Sequence, residues 1–256
     1  MALFDEMLKN YPHRRHFLQT VNLPAFDPPE SRFLYMKMHK AACTTVLATL
    51  MKHLAAAKGI VEDLSMERVH APPKSLLLTG PRGLTNAMVE DAVSSDDVFK
   101  FTIVREPISR TVSAWADKVD AVGKQRANLM TYLGRPIDAP MSLSSFIDIL
   151  AHDEGARNLD RHWRSQRLEM SYDQIPYDFV GVVEDIKPAM AHIITAIFGG
   201  DAAGEIEDTR KSFGHQTTSK DWREGLSAQD IKNLETAFAP DLEMYEQVTQ
   251  RLKECA

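Results

Sequence analysis

Hydrophobic positions along this chain switch between strand-like runs and helix-like spacing, and the switches outline its elements. Arg32–Met38 (RFLYMKM) is dense in strand-forming side chains and reads as a strand. Directly after it, Val46, Leu47, Leu50 and Leu54 recur at helical spacing, which predicts a helix over Cys43–Lys58 with Gly59 as its stop. Leu76–Thr79 is a short apolar strand candidate, and Leu84–Val93 reads as helix. Val98–Val104 (VFKFTIV) has the composition of a buried strand. Pro107 then suits the first turn of a helix running to about Val122, with Gly123 ending it. Ser142–Ala151 is a further helix, Asp178–Val183 (DFVGVV) a third strand, and Pro188 opens a helix that stops at Gly199–Gly200. Ser227 and Asp230 have the spacing of a capping box, ahead of C-terminal helices around Pro240. Pro24, Pro28 and Pro29 interrupt regular structure before the first strand, so residues 1–30 read as an N-terminal arm and 31–256 as one domain.

Strands alternating with helices argue for an α/β fold whose sheet is mainly parallel. Such sheets bind ligands beyond the carboxyl ends of their strands. Two strand-to-helix junctions, after Met38 and after Val104, carry basic and hydroxyl residues there.

Composition narrows the class. With 256 residues, 44% hydrophobic and 26% charged, the chain has globular values that exclude disorder, collagen and coiled coil. The longest stretch without Asp, Glu, Lys or Arg, Pro188–Gly200, is 13 residues, whereas a membrane-spanning helix needs about 20 apolar ones. Asp5 and Glu6 occupy the place of a signal peptide's apolar run, which points to a cytoplasmic protein. Cys43 and Cys255 are too few for a disulfide framework or a structural zinc site, and no other metal-ligand cluster stands out. A net charge of −6 argues against nucleic-acid binding through bulk charge. The charge is uneven, however. Ser31–Thr45 holds Arg32, Lys37 and Lys40 and no acid, and Arg157, Arg161, Arg164 and Arg167 face Asp160 alone. The acids gather elsewhere, at Glu90, Asp91, Asp96 and Asp97, and at Asp201, Glu205, Glu207 and Asp208.

At the first junction the chain reads K-M-H-K-A-A-C-T-T from Lys37 to Thr45. The first amides of a helix lack internal partners and carry partial positive charge, so a phosphate placed there gains backbone donors, the Thr44 and Thr45 hydroxyls and the Lys40 ammonium. Ala41 and Ala42 are small enough for the backbone to approach a ligand. An ordinary turn before a capped helix is the alternative. A Walker A loop is excluded, because no glycine lies between Arg32 and Lys58. At the second junction Arg105 ends the strand, and Ser109 and Ser113 share a helix face. Arginine offers a planar fork for phosphate oxygens; the alternative is an ion pair with Glu106 or Asp117.

Taken together, these segments resemble sulfotransferases. Lys40–Thr45 resembles their 5′-phosphosulfate loop, and Arg105-Glu-Pro with Ser113-Ala-Trp, eight residues from Arg to Ser, resembles their 3′-phosphate motif. The carbohydrate sulfotransferases, with the chondroitin 4-O-sulfotransferases among them, are the closest match. Ser145-Phe146, His162-Trp163 with Gln166, Tyr177–Gly181 with Glu184, and Leu226–Tyr245 with Asp241 resemble further segments of that group, so the likeness runs from about 32 to 247. Three features depart from the group: His39 stands where proline usually precedes the loop lysine, the paired cysteines after the H-W element are missing, and so is the membrane anchor of its Golgi enzymes.

The resemblance implies a P-loop-like three-layer fold and an enzyme that moves the sulfuryl group of 3′-phosphoadenosine-5′-phosphosulfate to a hydroxyl, most simply of a carbohydrate, without a metal. It implies that Lys40, Ala41, Ala42, Cys43, Thr44 and Thr45 hold the 5′ end of the donor, and that Arg105 and Ser113 hold its 3′-phosphate. Lys40 would also stabilise the leaving oxygen. A general base is needed for the acceptor hydroxyl, and histidine titrates in the working range. His70 and His162 are the leading candidates, with His39 behind them and Glu106 and Glu184 as carboxylate alternatives. Arg157, Arg161, Arg164 and Arg167 could face an anionic acceptor or form a solvated face. Trp163 could stack on a sugar or belong to the core, and His215–Trp222 could close over the nucleotide. A nucleotide-binding module without catalysis and a P-loop-like kinase are the competing functions. Neither acceptor identity nor oligomeric state is written in these motifs.

Overall fold

The computed structural model describes residues 3–25, 32–60, 69, 77–200 and 225–254. Its elements form two compact units, Met1–Val104 with Leu168–Gln216, and Arg105–Arg167 with Thr217–Ala256.

The first unit carries a four-stranded sheet in the order β1 (Val21–Asn22), β2 (Phe33–Met36), β3 (Phe99–Val104), β4 (Phe179–Val182). β1 runs antiparallel to β2, whereas β2, β3 and β4 are parallel, with Tyr35 opposite Phe101 and Ile103 opposite Gly181. Helices flank this sheet, giving the α/β class expected from the alternation. Phe33, Tyr35, Phe101 and Ile103 point to one face, where the Cys43–Lys58 and Ile186–Phe198 helices cover them with Val46, Leu47, Leu50, Met51, Leu54, Met190, Ile193 and Ile194. The opposite face carries buried polar groups. Lys100 donates to the Ser95 and Val98 carbonyls, and Thr102 Oγ1 donates to the Met36 carbonyl at 2.7 Å, tying the carboxyl ends of β2 and β3 together.

Gly181 lets β4 approach closely. A β-carbon there would lie 2.6 Å from Ile103 Cδ1 and 2.9 Å from Ala189 Cβ. The stretch read as an N-terminal arm supplies helices Leu3–Leu8 and Arg14–Leu18 and strand β1. Phe4 and Tyr11 pack on Phe17, Tyr11 Oη donates to the Glu169 carbonyl at 2.6 Å, and His16 Nε2 meets the buried Glu169 carboxylate at 2.8 Å.

The second unit is helical. Its core joins Ile108 and Ala114 of the Pro107–Lys118 helix, Leu129 and Met130 of Lys124–Tyr132, Phe146, Ile147 and Leu150 of Leu143–His152, Trp163, and Leu234 of Ala228–Ala237. The chain ends in the Ala239–Glu254 helix. The capping box forms as its spacing predicts: Asp230 N–H donates to Ser227 Oγ and Ser227 N–H to Asp230 Oδ2.

Element limits shift where caps decide them. Gly123 precedes the Lys124–Tyr132 helix instead of ending the one before, which stops at Lys118. Pro188 lies in the first turn of a helix that begins at Ile186. At the Leu76–Thr79 strand candidate, the described residues show only an isolated bridge between Pro24 and Leu78.

Candidate functional site

The first junction is a strained turn at the carboxyl end of β2. Lys40 and Ala42 both adopt left-handed backbone, at φ +64° and +54°, a region that costs an L-residue roughly 1–2 kcal/mol. Lys37 N–H donates to the Thr20 carbonyl at 2.8 Å, which fixes where the turn leaves the sheet. The turn delivers the chain into the Cys43–Lys58 helix, whose N-cap, Ala42, has no side-chain acceptor to offer the first amides. Thr44 and Thr45 stand in that first turn, half-buried, and Lys40 is half-buried just before it. Ala41 and Cys43 turn inward, and Cys43 is a free thiol. The cationic, hydroxyl and small residues expected here are therefore adjacent on one uncapped helix start.

At the second junction, Arg105 follows the last residue of β3 in the chain and is half-buried. Glu106 caps the Pro107–Lys118 helix, accepting the Ile108 amide at 3.2 Å and the Ser109 amide at 2.6 Å. These two bonds are those of a helix cap. Ser113 lies further along that helix. Its hydroxyl is buried and, among the described residues, has no hydrogen-bond partner. Arg110, three residues earlier, is structural. The residue is 1% exposed, and its guanidinium donates to the Arg164 and Arg161 carbonyls at 2.8 and 2.9 Å.

The Arg157–Arg167 segment is not a solvated row of four cations. Arg157 donates to the Leu150 carbonyl, and Arg164 is buried; Arg161 and Arg167 remain half-buried, with Arg167 3.8 Å from Glu243. Trp163 is wholly buried, bonded through Nε1 to the Ala156 carbonyl and edge-on to Phe146, so it is core and stacks on no sugar. His162 shares a hydrogen bond between Nδ1 and Asp160 Oδ1. Burial alone would raise the Asp160 pKa, but the hydrogen bond and charge of His162, with Arg161, bring it below the usual carboxylate range.

Two relationships were invisible in the sequence. Gln166 bonds both backbone groups of Arg105. Asp241, on the final helix, accepts from Ser165 Oγ and from the Gln166 and Arg167 amides; burial nevertheless pushes its pKa up. Asp241 and Gln166 belong to the resemblance, but no local spacing links them. Asp160 carries the one signal that could have been read, an acid two residues before a candidate base. His70, the His215–Trp222 stretch and Cys255 lie outside the described residues. Among the described residues, no group of three or more His, Cys, Asp or Glu is placed to hold a metal, and no helix is long and apolar enough to cross a membrane.

Set against models of known families, residues 25–246 match the one described as "Sulfotransferase family". No curated protein and no solved structure gives a match.

Proposed function

The chain belongs to the sulfotransferase family, and on that premise we propose that its donor is 3′-phosphoadenosine-5′-phosphosulfate and its acceptor a carbohydrate hydroxyl. The observation that supports the donor reading is the Ser113 hydroxyl, buried on the helix that follows Arg105 with no partner among the described residues. An unsatisfied buried hydroxyl costs about 1–3 kcal/mol, which an anionic oxygen bound there would remove. The 3′-phosphate, the group that separates this donor from ATP, offers such an oxygen, and Arg105 supplies the matching planar cation.

Taken by itself, the first junction has the groups that a 5′-phosphosulfate would need. An uncapped helix start presents amides to an anion, and Thr44 and Thr45 add hydroxyls. The donor supplies an electrophilic sulfur and leaves as adenosine 3′,5′-bisphosphate. Lys40 neutralises the charge that gathers on the bridging oxygen as the bond breaks. The acceptor's proton needs a base, and we assign that role to His162, whose ring is hydrogen-bonded to Asp160. Donation from Nδ1 to the carboxylate assigns Nε2 as the basic nitrogen.

The test is transfer of labelled sulfate from the donor to a library of glycans and small hydroxylic compounds, read by mass spectrometry. Wild-type protein labels a carbohydrate, and Lys40→Ala is slower by about a hundredfold or more, the scale of losing one charge-stabilising group. Transfer by Lys40→Ala at the wild-type rate would overturn the mechanism. Donor binding with no labelled product would favour the non-catalytic module.

A further inference from the structure

We infer that Gln166 and Asp241 are positioning residues for Arg105, holding its backbone so that its guanidinium meets the 3′-phosphate. The inference rests on the donor reading above. Gln166 is wholly buried. Its Oε1 accepts the Arg105 N–H at 3.0 Å, and its Nε2 donates to the Arg105 carbonyl at 2.8 Å. A primary amide facing one residue in this way satisfies both of its backbone groups and fixes its orientation.

The location gives the contact its meaning. Pairing of β3 with β4 ends at Val104 opposite Val182, so Arg105 is the first residue beyond the ladder. The groups at an ordinary strand end are met by water or a turn. Here a buried side chain takes the place of the next strand for this single residue.

Gln166 is itself held. Asp241 accepts from Ser165 Oγ at 2.6 Å, from the Gln166 amide at 2.8 Å and from the Arg167 amide at 3.0 Å. On the acceptor side, Arg110 binds the carbonyls of Arg161 and Arg164. One carboxylate and one guanidinium therefore grip residues 161–167 through both their donors and their acceptors. Trp163 adds an indole locked to the Ala156 carbonyl. Such a shell is what holds a binding group to sub-ångström precision, and a misplacement of about 1 Å can cost a hundredfold in function.

The test measures binding of adenosine 3′,5′-bisphosphate and of 5′-AMP, which lacks the 3′-phosphate, by calorimetry. The proteins are wild type, Gln166→Met and Gln166→Asn, the last keeping the amide one methylene short. Wild type prefers the bisphosphate. Both variants lose about tenfold or more of that preference, the value of a misplaced charge-assisted hydrogen bond, while 5′-AMP affinity moves less than about twofold. Asp241→Asn shifts the preference in the same direction. A merely structural role would weaken both nucleotides alike, and an unchanged ratio in the Gln166 variants overturns the inference. So would failure of both to fold, since it would assign the pair to folding. Absence of any preference in wild type would instead overturn the donor reading.

Discussion

The Glu106 carboxylate lies 2.6 Å from the Ser109 amide, closing the first turn of the helix that follows Arg105. This protein fills the anion-attracting end of that helix with its own side chain, while the Cys43–Lys58 helix has no side-chain cap. Two helices that open on superficially similar strand ends are therefore finished differently. Only at the second junction does the N-cap residue's own side chain take the first amides.

Removing the Glu106 cap should cost stability. Glu106→Ala is expected to lower the unfolding free energy by about 0.5–2 kcal/mol, through lost amide bonds and lost favourable interaction with the helix dipole. Glu106→Asp should recover most of that loss. Urea denaturation checks both, and an unchanged midpoint for the alanine variant would contradict the capping role.

Ala42 gives the opposite expectation. It holds φ +54° without glycine's freedom, at an N-cap position where alanine is poor. Ala42→Gly relieves the left-handed strain but releases more entropy in the unfolded chain. The balance should be a gain of roughly 0.5–1 kcal/mol. A lower thermal midpoint for Ala42→Gly would show that the turn is held by something other than backbone preference.

How much of this was readable beforehand depends on the range of the interaction. The Cys43–Lys58 helix was predicted at its observed bounds, because Val46, Leu47, Leu50 and Leu54 form one apolar face and Gly59 ends it locally. Ser227 and Asp230 likewise carry their whole interaction within four residues. Gly123 begins one helix and does not end another, because a glycine before Lys124 serves a helix start as readily as a helix end. The fates of Arg110, Arg157 and Arg164 were also hidden. A buried arginine bonded to carbonyls has the same spacing as an exposed one, and only the fold reveals which carbonyls lie within reach. Lys40 and the uncapped helix start were legible as a local pattern. The contact between Gln166 and Arg105 spans 61 residues and was not.

Gly181 shows a constraint that the resemblance marked without explaining. A side chain there would press on Ala189 Cβ, which is fixed to a helix and cannot swing away. Gly181→Ala should therefore force β4 and the Ile186–Phe198 helix apart, at about 1–3 kcal/mol. Chemical denaturation gives the value. Stability equal to wild type would mean that the interface has slack.

The pair formed by Asp160 and His162 gives a stability prediction and, on the proposed function, a catalytic one. Burial works against the ionised Asp160, but His162 and Arg161 outweigh it and set its pKa below the usual range. The sign follows from linkage. A depressed folded-state pKa contributes stability that is present above the unfolded value, about 4, and is lost as pH falls through the folded value. The stability difference between wild type and Asp160→Asn should thus be largest above about pH 4 and shrink in more acid solution, as urea titrations across that range would show. A difference that grew toward low pH would reverse the assignment. The same carboxylate orients the imidazole, so Asp160→Asn and His162→Ala should both lower kcat by about a hundredfold, a typical share for a positioned base, with bisphosphate affinity unchanged. His70→Ala provides the comparison. If His162→Ala turns over at the wild-type rate while His70→Ala does not, the proton goes to His70, and the contact between Asp160 and His162 serves the fold alone.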